Sequence, residues 1–243
     1  MKKNIPFGKG TAMNICGLQK LSLLDFPGYV AATVFFGGCN FRCPFCHNAS
    51  LVLPERIEPA VTEEEFFAFL LKRVGRLDGV CITGGEPLLQ KDILPFIEKI
   101  RARGFRVKLD TNGSRPDRLR ALIEAELVDY VAMDIKNSPT RYGETVGIQN
   151  FDLAPIRESV SLLLEGRVDY EFRTTVCAPL HTPQSIAEAG EFIRGARAWY
   201  LQGFTDSGDL VGQGISPLSR EECDALLAEA RKKIPTAALR GID

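Results

Sequence analysis

Short apolar runs alternate with segments of helical period along almost the whole chain, and this alternation restricts the fold more than any single residue does. The runs 30–36, 79–83, 105–109, 128–133, 170–176 and 198–204 read as strands, near-continuously apolar as in a parallel sheet covered on both faces. Between them, apolar residues recur at helical spacing: Phe66, Phe69, Leu70 and Val74; Ile93, Phe96, Ile97 and Ile100; Leu119, Leu122 and Ile123; Ile156, Val160, Leu163 and Leu164. Helix starts are marked by Thr62 with Glu65, Asp92, Thr182 before Pro183, and Ser219 with Glu222. About six βα units predict an α/β fold. A doubly wound sheet would bind its ligand at one switch point. Here polar motifs close nearly every strand, which suits a TIM-like barrel with its site at the strand C-termini. Six units rather than eight predict a partial (β/α)6 open barrel.

Three parts are expected: a leader and short hairpin over residues 1–28, the barrel over 29–205, and a C-terminal loop and helix packing on the barrel over 206–243. The Gly- and Asp-rich stretch 205–217 is expected to act as a mobile lip over the barrel mouth. The long connection 137–151 reads as a loop.

The first strand runs into Gly37-Gly38-Cys39-Asn40-Phe41-Arg42-Cys43-Pro44-Phe45-Cys46-His47-Asn48, where three cysteines fall within eight positions. Three thiolates can wrap one metal centre, yet they are one short of the four that ligate a cubane cluster. The gap would leave one iron open to a non-protein ligand, as catalytic metal sites require. Two other readings compete. Cys39, Cys43, Cys46 and His47 form a zinc donor set, although adjacent residues seldom reach one tetrahedral ion. Cys43-Pro44-Phe45-Cys46 is a dithiol motif, which has no use for Cys39. The other cysteines, Cys16, Cys81, Cys177 and Cys223, are scattered; Cys81 and Cys177 read as core residues.

Later strand ends carry further polar groups. Thr83-Gly84-Gly85-Glu86-Pro87 offers glycines that let backbone approach a ligand, and a carboxylate for a protonated amine. Asp110-Thr111-Asn112-Gly113 and Asp134-Ile135-Lys136 close the next two strands. Each alone is ordinary turn chemistry. Arg173 lies in an apolar strand and needs a partner, either a ligand carboxylate or a core acid. Phe45 alone reads as a core residue, His47 has no assigned role, and His181 reads as a solvated or capping loop residue. Gly212-Gln213-Gly214 lacks the third glycine of a dinucleotide fingerprint.

Together, the cysteine loop and the Gly-Gly-Glu-Pro turn resemble the radical S-adenosylmethionine (SAM) superfamily. The context of the cysteines, and Gly17-Leu18-Gln19-Lys20-Leu21-Ser22-Leu23-Leu24-Asp25-Phe26-Pro27-Gly28 upstream, is similar to the activating enzymes of glycyl-radical proteins. Among these it is most like the longer form of the anaerobic ribonucleoside-triphosphate reductase activating protein. The resemblance implies a [4Fe–4S] cluster on Cys39, Cys43 and Cys46, with SAM on the fourth iron. It implies that reductive cleavage of SAM yields a radical that takes hydrogen from a glycine on a partner protein. It places Phe45 near the adenine, Gly84, Gly85 and Glu86 at the methionyl amine, and Thr111, Asn112, Asp134, Lys136, Arg173 and Gln202 around the SAM pocket. Asp110 and Asp134 would hold a monovalent cation. The implied partners are a glycyl-radical protein and a low-potential donor such as flavodoxin or ferredoxin. Other glycyl-radical partners, including a pyruvate formate-lyase-like enzyme, and small-molecule substrates share this chemistry.

Charge and composition exclude other classes. The 30 basic residues are balanced by 31 acidic ones, so nothing favours nucleic acid. No run approaches the ~18 apolar residues of a membrane span. The first residues carry charge without an apolar h-region, which does not read as a signal peptide. Seven cysteines, an odd number, argue against a disulfide framework. These features predict a soluble cytoplasmic protein.

Overall fold

The structure, a computed structural model, describes residues 13–242; the first twelve residues of the expected leader and hairpin lie outside the described residues. In chain order the elements are β1 (Ile15–Ser22), β2 (Ala31–Phe36), α1 (Ala49–Val52), α2 (Glu63–Leu71), β3 (Gly79–Gly84), α3 (Ile93–Arg101), β4 (Arg106–Thr111) and α4 (Pro116–Glu124). They continue with β5 (Tyr130–Asp134), α5 (Tyr142–Val146), α6 (Ala154–Leu164), β6 (Asp169–Val176), α7 (Pro183–Phe192), β7 (Trp199–Gly203), α8 (Arg220–Lys233) and β8 (Ala238–Arg240). All eight strands form one sheet in sequential order. β1 is antiparallel to β2, and every later pair is parallel. Among the described residues β1 and β8 each have a neighbour on one side only, so the barrel stays open. No described helix is long and apolar enough to cross a membrane.

Strands β2 to β7 are the six expected from the sequence. The segment before β2 forms a hairpin with β2 itself. Three elements escape a periodicity reading because they are too short to show a period: α1, just after the cysteine loop, α5, inside the expected 137–151 loop, and β8, after α8. β8 nonetheless satisfies a buried charge. Arg240 donates to both carboxylate oxygens of Glu171 on β6, at 2.8 and 3.0 Å, and Tyr130 donates to Glu171 Oε2 at 3.0 Å.

The reading of the sheet as apolar on both faces is corrected. Side chains alternate across a strand. On β6, Tyr170, Phe172, Thr174 and Val176 are buried on one face, while Arg173 and Thr175 line the cavity on the other. The same parity separates Val107 and Leu109 from Lys108 and Asp110 on β4. Helices cover only the outer face. The inner face tolerates polar groups because it surrounds an open cavity and because its charges are paired.

The outer layer is apolar packing. Phe66 of α2 stacks on Phe96 of α3 with ring centres 5.0 Å apart, and Phe96 meets Phe36 of β2 edge-on at 5.5 Å. Burial of one such ring is worth about 1.5–3 kcal/mol. Phe67 joins this cluster, whereas Val74, expected on the same face, lies past the helix end and is exposed. Thr62 and Glu65 cap α2 reciprocally, as do Ser219 and Glu222 at α8. Thr182 caps α7 with Ser185 as its return partner. Asp92 stands at the N-cap of α3 without a side-chain hydrogen bond to it.

Candidate active site

Parallel register carries the ends of β2 to β7 to one mouth, where a cavity of about 300 Å³ opens. Cys39, Cys43, Phe45 and Cys46 reach it from the loop after β2, and Gly84 and Gly85 from β3. Thr111 and Asn112 come from β4, Asp134 and Lys136 from β5, Arg173 from β6 and Gln202 from β7. The fold thus gathers residues spread over more than 160 positions, and of the expected set only Glu86 is missing from the wall.

Two glycines make the cysteine loop and β3 fit. Gly84 has φ +124°, and a Cβ there would stand 2.2 Å from Phe36 O; at Gly85 it would stand 2.2 Å from Gly38 O. Side chains of any size are excluded at both positions. The expected close approach is therefore to the backbone leading into the cysteine loop. Glu86 N donates to Gly38 O at 2.7 Å, and Gln90 Nε2, without a sequence signal, donates to Gly37 O at 2.7 Å.

Glu86 is turned away from the cavity. It is fully buried and accepts from Thr111 Oγ1 at 2.9 Å, Asn112 N at 2.6 Å and Leu88 N at 3.0 Å. Burial pushes its carboxyl up to about 7, against the pull of these donors. Through these bonds it ties the exit of β3 to that of β4.

Arg173 finds core acids. Its Nε lies 2.9 Å from Asp134 Oδ1 and its Nη1 3.2 Å from Asp110 Oδ2. Lys136 Nζ meets Asp134 Oδ2 at 2.8 Å, and the buried Lys108 pairs with Asp110. Burial alone would raise the Asp134 carboxyl, but Arg173 and Lys136 outweigh it and hold it at about 2. Asp110 is lowered in the same way by Arg173 and Lys108 against its burial. A guanidinium therefore bridges the two carboxylates expected to hold a monovalent cation. Asp25 lines the same cavity, so the cations Arg173, Lys136 and Lys108 are matched by three carboxylates, with Arg173 and Lys136 facing the open space.

The cysteines are free; Cys43 is buried, while Cys39 and Cys46 are half-buried. Burial pushes the Cys39 thiol up to about 11 and Cys43 to about 12, so metal must displace their protons on binding. Among the described residues, no three His, Cys, Asp or Glu side chains are grouped to share one metal ion, and His47 is exposed. Three thiols around one cavity suit the separate corners of a cubane, with the fourth corner facing the open space.

Several neighbours lack a local signature. His181 is buried, with Nε2 2.8 Å from Lys136 O and Nδ1 accepting from Cys177 N at 3.1 Å; its ring meets Phe45 edge-on at 6.1 Å. It is neither solvated nor a cap. Cys81, read as core, lines the deep end of the cavity with Asp25 and Thr33. The stretch expected as a mobile lip is fastened to the cysteine loop. Val211 N donates to Cys46 O at 3.1 Å and Gly212 N to Pro44 O at 3.0 Å, while Asp209 pairs with Arg56 at 2.5 Å and accepts from Ser50 N at 3.2 Å.

Comparison with known proteins agrees with this geometry. The Radical SAM superfamily matches residues 33–194. A Methanocaldococcus jannaschii protein, provisionally named a glycyl-radical enzyme activating enzyme, is 30% identical over 239 residues, 94% of this chain and 96% of its own. The pyruvate formate-lyase-activating enzyme of Listeria monocytogenes is 28% identical over 195 residues, 73% of this chain and 74% of its own. The 7-carboxy-7-deazaguanine synthase of Koribacter versatilis is 33% identical over 150 residues, 61% of this chain and 62% of its own. Among solved structures, Streptococcus suis SuiB bound to S-adenosylmethionine shares the fold with a TM-score of 0.65 at 13% identity, over 84% of this chain and 48% of that one. A family match across most of the chain, together with three thiols facing one cavity at the strand ends, shows that this enzyme belongs to the radical SAM superfamily, whose cofactors are a [4Fe–4S] cluster and S-adenosylmethionine.

Proposed function

We propose that this enzyme is an activase that generates a glycyl radical on a partner protein, with an anaerobic ribonucleoside-triphosphate reductase as that partner. The observation that carries this reading is the end-to-end match to the M. jannaschii protein, which spans 96% of that chain, against 62% for the deazaguanine synthase. The open edges of the sheet support it, because a polypeptide segment needs a wider approach than a small molecule.

When bound, the cluster and SAM supply one-electron chemistry and hydrogen abstraction. This chain's residues bind and orient. Cys39, Cys43 and Cys46 would each take one iron. Arg173 and Lys136 would draw the SAM carboxylate, with Asp134 held ionised beside them. Phe45, braced by His181, would give the adenine a flat wall, and Thr111, Asn112 and Gln202 would supply polar contacts. A low-potential flavodoxin or ferredoxin would donate the electron.

The test is anaerobic incubation of reconstituted enzyme, SAM and reductant with a candidate reductase, followed by electron paramagnetic resonance. A glycyl doublet on the reductase is expected. Its absence there, with a doublet on a lyase instead, would reassign the partner. SAM consumption driven only by a small molecule would overturn the activase reading. Replacing any of the three loop cysteines by Ala should abolish the cluster, whereas Cys223→Ala, in α8, should keep its iron.

A further inference from the structure

Among the three loop cysteines, Cys39 is the one whose sulfur receives hydrogen bonds from the described residues. Phe41 N donates to it at 3.4 Å, and Asn112 Nδ2 at 3.8 Å. The Phe41 donor is backbone and follows from the loop's own turn. The Asn112 donor comes from 73 positions away and is held in place from several sides. Its backbone N–H is fixed on Glu86 Oε2 at 2.6 Å. Its side-chain oxygen accepts from Ser114 N at 2.9 Å, which settles which way round the amide lies. The two N–H groups of Nδ2 therefore face Asn40 Oδ1, at 3.0 Å, and Cys39 Sγ. Asn40 Oδ1 also accepts from Ser114 Oγ at 3.3 Å, closing a small ring of bonds around the donor.

From this arrangement we infer that Asn112 is a positioning residue that tunes the cluster, donating through Cys39 to raise its reduction potential. A donor on a ligand sulfur stabilises added negative charge, and reduction adds one electron to the cluster. The reduced form gains more than the oxidised form, so the potential rises and the electron is accepted more readily from a low-potential one-electron donor. The near-complete burial of Asn112 and the engagement of both its N–H groups hold this donor on the sulfur. The inference rests on the cluster and not on the identity of the glycyl-radical partner.

The experiment is an anaerobic redox titration of the reconstituted, SAM-free holoprotein, monitored by electron paramagnetic resonance of the reduced cluster, for wild type, Asn112→Ala and Asn112→Asp. Both variants should keep their iron and absorption spectrum and titrate at more negative potential. At the wild-type midpoint the ratio of reduced to oxidised cluster should fall about tenfold, a shift of about 59 mV for one electron. Asn112→Asp, which places an acceptor against the sulfur, should shift at least as far as Asn112→Ala. Unchanged midpoints with full iron would overturn the inference. Variants that bind no cluster would also overturn it, by making Asn112 a residue of cluster assembly.

Discussion

Arg173 on β6 stands directly beside Asp134 on β5 in the parallel register and closes a 2.9 Å ion pair with it at the cavity wall. Replacing Arg173 with Met would leave Asp110 and Asp134 facing each other with only one lysine apiece. Breaking a buried pair from one side costs about 3–5 kcal/mol. Anaerobic urea unfolding should show a loss near the lower bound, because Lys108 and Lys136 remain. SAM affinity, measured by equilibrium dialysis, should drop at least tenfold.

Two carboxyls predict opposite pH trends. Asp134 is held at about 2, below its ordinary 3.8, so its contribution to stability is complete above about pH 4 and lost as pH falls toward 2. Glu86 is raised to about 7 from 4.5, so the native state holds its proton longer than the unfolded chain does. Its contribution is complete below about pH 4.5 and is lost as pH rises through 7. Denaturation midpoints should therefore fall from pH 5 to pH 8, and Glu86→Gln should flatten that slope. The same change removes an acceptor from one backbone N–H, at about 1–3 kcal/mol.

Gly85→Ala would drive a methyl group into Gly38 O, one residue before Cys39. Overpacking of this kind costs about 1–3 kcal/mol. A lower melting temperature and less iron per chain after reconstitution are expected together, since the displaced backbone carries Cys39, the proposed cluster ligand.

Asp209→Ala should loosen the strap over the cysteine loop without touching a cysteine. Iron content after anaerobic reconstitution is expected to match wild type. Bleaching of the cluster absorbance in air should be several-fold faster, because Arg56 and Ser50 N lose their partner.

The cysteine loop and the six core strands were legible in the chain because each depends on local spacing: a period of two or of 3.6, a cap, three cysteines within eight positions. That Gly84, Thr111, Asp134, Arg173 and Gln202 meet at one mouth also followed, since parallel strands bring all their C-termini to one side. Direction across a strand did not follow. An apolar-looking run hid a charged inner face on β4 and β6, and adjacent members of one turn, Gly85 and Glu86, part company at the cavity wall. Whether Arg173 serves a ligand or pairs with Asp110 and Asp134 depends on register between strands 39 and 63 positions apart. The strap from Asp209 to Gly212, the brace from His181 to Lys136, and the donor from Asn112 to Cys39 are contacts of the same kind. Sequence alone determined which chemistry the loop can hold, because ligand type and spacing are local; the tertiary structure decided which charges, donors and backbone atoms surround it, because those come from distant strands and only their packing sets the distance.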